Sequence, residues 1–260
     1  MDIKELNVNL KKNLHNNHPW EYARAKVVMH LLKPYLQKIG KLNFAVDIGC
    51  GDIFFLDQFC KKNPVTNPIA VDTAFNDELI SQLEFKNNNI IFYDDIKKID
   101  LNGEKANIIF LMDVLEHIEN DVDFLKEITT SNFVGPDTIF MITVPAHNKL
   151  FSSHDKFVGH YRRYVQKTLQ KTISLSGLKC LNNGYFFSTL IIPRIIQKML
   201  EKIKGAPLTE PNGAGGWNGN KFISKIYELL LLCDFYFFRL FSCIGINIPG
   251  LSAYAICKLK

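Results

Sequence analysis

Short, continuous apolar runs alternate with amphipathic stretches through most of this chain. The runs lie at residues 44–48, 68–72, 90–93, 106–112 and 138–144. A parallel strand that is buried on both faces has such a continuous run, rather than alternating polar and apolar residues. Stretches of helical period separate the runs, so the pattern predicts an α/β fold with a parallel, doubly wound sheet.

Helices are also predicted on both sides of this core. Residues 18–37 have apolar positions at helical spacing, whereas residues 1–17 are polar and are expected to fray or to form a loose helix. Near the other end, residues 190–204 and 222–243 are predicted helices that flank a segment rich in glycine, asparagine and proline. We expect that segment, residues 205–220, to be mobile, because its glycines raise the entropy cost of ordering it.

The helix predicted at 222–243 is very apolar, but it does not predict a membrane span. Glu228, Asp234 and Arg239 interrupt it, and no apolar run approaches the roughly 18 residues that a span requires. Three roles remain open for it: packing on the first helix, forming a homodimer face, or lying on a bilayer surface.

Composition narrows the classes of function. The chain has 260 residues, 47% of them hydrophobic, which is enough to bury the core of one α/β domain spanning 1–260. The net charge of +5 comes from 31 basic and 26 acidic residues that are scattered along the chain. No dense basic stripe predicts nucleic-acid binding, while an anionic substrate or an anionic membrane surface remains open.

The cysteines and the N-terminus bear on metal binding and location. The six cysteines form no C-x-x-C pair and show no histidine spacing typical of zinc, so we expect them to be buried in a reducing compartment and predict no metal site. The polar N-terminus lacks the apolar core of a signal peptide. The expected location is the cytoplasm, with peripheral membrane contact left open.

The first apolar run leads into the candidate chemistry, in the string FAVDIGCGD. Asp47, Gly49 and Gly51 follow one another at alternate positions. Glycines permit positive φ and let a ligand approach the backbone, and the helix that follows has free amides for an anion. A dinucleotide loop would need a third glycine where this chain has Phe54. That interpretation and a purely structural turn are kept as alternatives.

The loop resembles motif I of class I S-adenosylmethionine methyltransferases, Asp-x-Gly-x-Gly, although many members carry a third glycine where this chain has Ile53. A second string, DVLEHI at 113–118, is similar to the D-V-L-E-H-V signature of ubiquinone-pathway O-methyltransferases. Glu116 and His117 in this string border the substrate by that resemblance, or else cap and orient the next helix.

The resemblance implies S-adenosyl-L-methionine as the cofactor and a Rossmann-like, mostly parallel sheet of seven strands. Its antiparallel last strand would lie at 252–258, beside a sixth strand at 180–187. The chain would then divide into a helix over the cofactor at 18–40, a core at 41–190, a helical insertion or lid at 190–250 and the last strand at 251–260. The residues that the resemblance assigns to the cofactor are Trp20, Arg24, Asp47, Gly49, Cys50, Gly51, Asp72, Thr73, Asp95, Ile96, Asp113 and Val114.

The segment from 145 to 168 is expected to overhang the cofactor, because ligands bind outside the carboxyl ends of the strands in such sheets. It is too polar for a core, and it resembles a bacterial methyltransferase branch linked with cell-envelope glycan or lipid pathways. Its candidate acceptor-site residues are His154, Asp155, His160, Tyr161, Arg162 and Arg163. The histidines suit a general base and the arginines an anionic group, or these side chains cap helices and tie the loop to the sheet.

The function expected from this set is methyl transfer from S-adenosylmethionine to a small-molecule or lipid- or glycan-linked acceptor. The alternatives are a class I fold that uses the cofactor without methyl transfer, a non-catalytic cofactor-binding partner subunit, and a dinucleotide-binding oxidoreductase. Expected partners are the acceptor and, through residues 190–250, a membrane surface or a second copy of the chain, with no nucleic acid.

Overall fold

The computed structural model describes residues 18–84, 89–204 and 220–260. The expectation for residues 1–17 lies outside the described residues, as does nearly all of the segment expected to be mobile at 205–220. Within the described part, helices and strands alternate as the apolar pattern predicts.

The strands are longer or shorter than their apolar runs by a few residues. Val65 and Asn67, for example, begin the second strand ahead of its buried half. The strands are β1 Leu42–Ile48, β2 Val65–Val71, β3 Ile91–Tyr93, β4 Ile108–Met112, β5 Ile139–Pro145, β6 Leu178–Phe186 and β7 Ser252–Leu259. The α-helices are α1 Pro19–Ile39, α2 Phe54–Lys62, α3 Asp77–Glu84, α4 Asp121–Thr129, α5 Ser153–Val158, α6 Gln166–Leu175, α7 Ile191–Lys204 and α8 Lys221–Cys243.

The strands form one sheet in the order β3-β2-β1-β4-β5-β7-β6. All neighbouring pairs from β3 to β5 are parallel, and β7 is antiparallel to both β5 and β6. The order reverses between β1 and β4, so the carboxyl ends of these strands open a crevice where ligands of doubly wound folds bind. The predicted seven-stranded Rossmann-like sheet with an antiparallel last strand is confirmed.

Helices cover both faces of the sheet. One face packs against α4 and α6 through side chains such as Leu125 and Ile173. The other packs against α1, α2 and α8, with Leu231 and Phe235 of α8 joining Val28 of α1 in the core. The helix predicted at 222–243 therefore does pack on the first helix, and the insertion between β6 and β7 is tied to the body of the molecule.

The apolar helices and the cysteines bear on two further expectations, the absence of a membrane span and the burial of the thiols. No helix among the described residues is long and apolar enough to cross a bilayer, in agreement with the interrupted apolar run. The expectation that the cysteines are buried is wrong for Cys233, which is exposed on α8. That helix buries Glu228 and Asp234 along with Leu231 and Phe235 and exposes many other apolar residues, so hydrophobicity alone does not decide which residues of α8 are buried.

Candidate active site

A cavity of about 520 Å³ opens at the carboxyl ends of β1, β2, β4 and β5. Every residue that the family resemblance assigns to the cofactor lines it, from Trp20 and Arg24 on α1 to Asp113 and Val114 after β4. Parallel strands end at the same edge of a sheet, which is why motifs far apart in the chain meet here. The cavity is large enough for a cofactor and a small acceptor group together.

The turn after β1 has a backbone that needs glycine. Gly49 has φ +73° and Gly51 has φ +57°, both in the left-handed region. A Cβ built on Gly49 would lie 2.6 Å from Cγ2 of Val114, so a side chain is excluded there by contact as well as by conformation. Ile53 also has a positive φ, +57°, which accounts for the glycine that many family members carry at this point.

Asp72, at the end of β2, holds the turn in place. Its Oδ2 accepts a hydrogen bond from the backbone N–H of Gly51 at 3.0 Å, and its Oδ1 accepts one from Ala74 at 3.1 Å. The carboxylate faces the cavity from beneath the turn. Asp72 therefore combines a structural role with a position from which it can accept hydrogen bonds from a ligand.

Asp47 is a buried acid in the cavity wall. It is 1% exposed, and among the described residues neither of its carboxylate oxygens has a hydrogen-bond partner. Burial raises the pKa of this carboxyl to about 8. An acid in this condition is stabilised when a cationic or hydrogen-donating ligand group comes to lie beside it.

α1 closes one side of the cavity with a buried guanidinium. Arg24 stacks over the ring of Trp20 at 4.4 Å and donates a hydrogen bond to Asp113. Asp113 has φ +60° and also accepts a hydrogen bond from the hydroxyl of Thr143 at 3.0 Å. Arg24 is thus fixed from two sides, with its charge balanced by an acid that also lines the cavity.

Asp95, at the opposite wall, caps a short 3-10 turn at Ile96–Lys98 by accepting a hydrogen bond from Lys97 N at 2.9 Å. Its neighbour Asp94 is exposed and pairs with Lys98 at 2.7 Å. Asp94, Asp95 and Ile96 all line the cavity.

Part of the segment from 145 to 168 is buried, so the expectation that it is too polar for the core is wrong for that part. Asp155 is fully buried, and Arg163 and Tyr164 are buried beside it. Asp155 accepts hydrogen bonds from Arg163 Nε at 2.8 Å and from Arg194 Nη2 at 2.9 Å, and its Oδ1 lies 2.9 Å from Nδ1 of His160. Ion pairs with Arg163 in the segment and with Arg194 on α7 offset the cost of burying the charge of Asp155.

The candidate residues of this segment separate into two groups. His154, His160 and Arg163 line the cavity, and Asp155 lies behind them. Burial, followed by the charge of Arg194, lowers the pKa of His154 to about 4. Tyr161 is 56% exposed and outside the cavity lining.

Arg162 also faces away from the cavity. Its Nη2 donates to the backbone oxygen of Glu119 at 2.6 Å, and its Nη1 lies 3.2 Å from Asp121. The structure therefore brings Arg163 to the cavity and uses Arg162 to fasten the segment to the start of α4.

Sequence reasoning missed Arg194, which reaches the cavity from α7. Its signal was the placement of Arg194, Gln197 and Glu201 at helical spacing in an otherwise apolar helix, which marks a polar stripe on one face. The sequence left open whether Glu116 and His117 cap the next helix or border the substrate. Both residues line the cavity.

Comparisons with known proteins agree with this geometry. A family described as a methyltransferase domain matches residues 20–183. The fold is similar to the plantazolicin methyltransferase BpumL, solved with S-adenosylhomocysteine, with a TM-score of 0.56 at 13% identity, covering 99% of this chain and 89% of that one.

Two further solved structures share the fold. An S-adenosylmethionine-dependent methyltransferase from Clostridium acetobutylicum has a TM-score of 0.52 at 13% identity, with 92% and 91% of the chains covered. Coclaurine N-methyltransferase, bound to N-methylheliamine and S-adenosylhomocysteine, has a TM-score of 0.51 at 14% identity, with 89% and 70% covered. No curated protein sequence matches the chain. The family match covers more than half of the chain, which therefore belongs to the methyltransferase domain family and is a class I S-adenosylmethionine-dependent methyltransferase.

Proposed function

We propose that this methyltransferase acts at a membrane surface on an anionic, lipid-linked acceptor. The observation that carries the proposal is α7, which turns its polar side toward the cavity and its apolar side outward.

The cofactor half of the cavity fits S-adenosylmethionine, which supplies a methyl group on a positively charged sulfur when it is bound. The turn at Gly49 and Gly51 lines the cavity with backbone in the left-handed region, and Val114 packs against Gly49 where a side chain would otherwise stand. Asp47, without a partner among the described residues, suits a cationic group. Asp72 and Asp95 would accept hydrogen bonds from ribose and adenine, and Arg24 would lie near the carboxylate.

The acceptor half holds two guanidiniums, those of Arg163 and Arg194. Arg163 and Arg194 share one carboxylate, that of Asp155. Burial raises the pKa of this carboxyl, but the hydrogen bond with His160 and the charges of the two guanidiniums outweigh burial and hold the pKa well below its ordinary range. Two guanidiniums and one carboxylate leave one positive charge beside the cavity. A phosphate or carboxylate on the acceptor would balance that charge, and guanidiniums bind such groups in a fixed geometry.

α7 is inverted relative to an ordinary surface helix, which exposes its polar face and buries its apolar one. Arg194 reaches Asp155, Glu201 accepts a hydrogen bond from Ser153 N at 3.2 Å, and Lys198 donates to the backbone of Lys149 at 2.5 Å. Apart from Lys202, the large exposed side chains of the helix are apolar: Ile192, Ile195, Ile196, Met199, Leu200 and Ile203.

α8 packs Leu231 and Phe235 in the core, but it also buries two acids and exposes many apolar side chains. Glu228 is buried in an ion pair with Lys26, and Asp234 is buried where it accepts hydrogen bonds from Ser188 N and Thr189 N at 2.9 and 2.8 Å. Its exposed apolar side chains include Phe222, Leu229, Leu230, Phe237 and Leu240. We call the exposed apolar side chains of α7 and α8, within the described residues, the apolar outer face.

The charges around the apolar outer face favour a bilayer over a second copy of the chain. The acids Glu228 and Asp234 are buried, whereas Lys202 and Lys221 are exposed, as is Lys225, which pairs with Glu228 at 3.2 Å. A cationic rim around apolar side chains matches an anionic lipid surface. Two copies would bring like charges together, which disfavours pairing.

The same helix that carries the apolar outer face also brings Arg194 to the cavity. An acceptor with its chain in the bilayer and its anionic group in the cavity would therefore contact both sides of α7. A lipid-linked diphosphate of the kind used in cell-envelope synthesis has this chemistry.

The test is transfer of labelled methyl from S-adenosylmethionine to organic and aqueous extracts of the source cells. We expect label in a lipid product, and we expect Arg194→Gln to reduce its formation at least tenfold. Arg162→Gln is the matched control, because Arg162 has the same charge and lies outside the cavity.

Label found only in water-soluble products would contradict the lipid-linked acceptor and leave the methyltransferase assignment intact. Binding of S-adenosylhomocysteine without any labelled product would instead favour the non-catalytic partner subunit. Equal losses for Arg194→Gln and Arg162→Gln would contradict the anion-binding role of Arg194.

A further inference from the structure

Glu116, His117 and His160 form a compact cluster at the acceptor side of the cavity. Glu116 and His117 lie in a 3-10 turn directly after β4, at Leu115–His117, and His160 follows α5. One ligand atom from each of the three side chains lies within 4.8 Å of the others. The two imidazole rings are 4.5 Å apart, and Nε2 of His160 is 3.9 Å from Oε1 of Glu116. All three residues line the cavity.

Glu116 is the buried member of this cluster. It has no exposure, and neither oxygen of its carboxyl group has a hydrogen-bond partner among the described residues. A buried carboxyl group without a partner costs free energy whether it is ionised or protonated. Its oxygens face two imidazoles and an open cavity, an arrangement that a bound cation would stabilise.

His160 is oriented so that one nitrogen faces this cluster. Its Nδ1 lies 2.9 Å from Oδ1 of Asp155, a carboxylate that Arg163 and Arg194 also contact. This contact with Asp155 occupies Nδ1 and leaves Nε2 directed at Glu116 and His117, as the nitrogen that could bind a metal. Metal-binding histidines have this arrangement, in which a carboxylate fixes the tautomer from behind.

We propose that Glu116, His117 and His160 bind a divalent transition-metal ion, with Asp155 as the positioning residue behind His160. Two imidazoles and one carboxylate are the donor set of catalytic zinc and of non-haem iron(II) sites, which keep positions open for water or substrate. Metal–ligand bonds of about 2.0–2.2 Å place ligand atoms roughly 3.3 Å apart. Movements of about 1 Å in the side chains would close the cluster around an ion.

This inference rests on the proposed function and deepens it. The ion would bind an acceptor oxygen inside the cavity that also holds the cofactor loop. A cation there stabilises the deprotonated form of a hydroxyl, whose proton would leave to solvent. It would also add positive charge beside Arg163 and Arg194, toward the anionic acceptor. The search for C-x-x-C or paired histidine spacing could not reveal the site, because its ligands come from two separate segments.

The test uses the full-length protein, stripped with a chelator and titrated with Co²⁺ and Zn²⁺ alone. We expect one equivalent of Co²⁺ to give visible absorption bands of imidazole coordination, and Zn²⁺ to displace it with heat measurable by calorimetry. Glu116→Gln and His160→Asn should weaken binding by at least about 100-fold, since loss of an outer partner already costs about 10–100-fold. Asp155→Asn should weaken it by about 10–100-fold.

His30→Asn is the control for adventitious binding, because His30 lies on α1 against Phe235 of α8. It should leave both titrations unchanged, and circular dichroism should show that every variant is folded. If Glu116→Gln does not fold, His117→Asn takes its place. No Co²⁺ bands in the wild type, or equal affinities in the wild type and the ligand variants, would overturn the inference.

Because only metal is titrated, these outcomes are independent of the proposed acceptor. Tight metal binding together with methylation of a water-soluble product would support the metal site and contradict the lipid proposal. If the protein binds no metal and methylates a lipid equally well with and without the chelator, the result would support the lipid proposal and contradict the metal site.

Discussion

At the residue scale, the turn after β1 shows how one backbone conformation limits the sequence. Gly49 and Gly103 both have positive φ, +73° and +84°, but only at Gly49 would an added Cβ have a neighbour within 4 Å. Alanine at either position costs conformational strain of about 1 kcal/mol or more. Only alanine at Gly49 would also press against Val114 and displace the turn that lines the cavity.

We therefore expect Gly49→Ala to weaken binding of S-adenosylhomocysteine at least tenfold, measured by calorimetry. Gly103→Ala should lower the melting temperature and leave that affinity unchanged. If the two variants lose affinity equally, strain in the chain rather than contact with Val114 accounts for the effect, and the role given to the packing of Val114 on Gly49 is wrong.

The residues placed at the cofactor side could be predicted because each follows a strand. Asp47, Asp72 and Asp113 each lie at or just after a strand's carboxyl end, and the sheet alone brings those ends together. The acceptor side could not be predicted in the same way. Arg162 and Arg163 are adjacent in an irregular segment, where side-chain direction depends on packing, and only Arg163 faces the cavity.

At the scale of elements, Asp155 joins α5, the irregular segment after it and α7. Arg163 and Arg194 donate hydrogen bonds to it, and so does the backbone N–H of Ser152 at 2.8 Å. Removing the charge leaves two buried guanidiniums without their shared partner. Breaking a buried ion pair in this way typically costs about 3–5 kcal/mol.

We expect Asp155→Asn to lower the free energy of unfolding by about 3 kcal/mol at pH 7 and to speed hydrogen exchange in α7. Hydrogen bonds and charges hold the pKa of Asp155 below its unfolded value. Its stabilisation is therefore complete above the unfolded pKa near 3.8 and is lost as the pH falls through the folded pKa. The difference between wild type and variant should shrink below about pH 4.

Chemical denaturation at pH 7, 5 and 3 measures this difference, with Arg162→Gln as a control that removes a charge from the same segment outside the ion-pair cluster. A difference that stays constant down to pH 3 would mean that the Asp155 carboxylate is not the stabilising group. Unchanged exchange in α7 would mean that Arg194 does not tie that helix to the core.

The apolar pattern predicts where α7 and α8 lie in the chain, but not which side of each helix is buried. The existence of both helices follows from their period, and their bounds differ from the predicted ones by about one residue. Their orientation does not follow, because the usual rule buries the apolar side. Polar partners such as Asp155 for Arg194 and Lys26 for Glu228 come from distant parts of the chain, and these contacts turn the polar side inward.

At the scale of the whole molecule, the apolar outer face is the feature that ordinary solubility does not explain. Ile203 is 77% exposed and Phe222 is 74% exposed, together with neighbours on both helices. Contiguous apolar patches on monomers are usually limited in size and mark contact sites when they are larger. The sequence left open a bilayer or a second copy of the chain as the partner of this face. The two partners lead to different expectations for the intact protein.

We expect the protein to float with vesicles that contain anionic lipid and to bind neutral vesicles at least tenfold more weakly, because the cationic rim adds to apolar burial. The double variant Ile196→Glu with Met199→Glu should abolish flotation. Leu175→Glu with Leu181→Glu is the matched control, since Leu175 and Leu181 are exposed apolar residues elsewhere on the surface. High salt should weaken binding to anionic vesicles, as it screens the lysine contribution.

Sedimentation at micromolar concentration separates the two occupants. A monomer that floats, and whose flotation is lost only in the α7 double variant, is the outcome that the membrane proposal requires. A stable dimer that does not float, and that the same variant converts to a monomer, would make the apolar outer face a subunit interface. The acceptor would then reach the cavity from water, and Arg194 would still hold its anionic group.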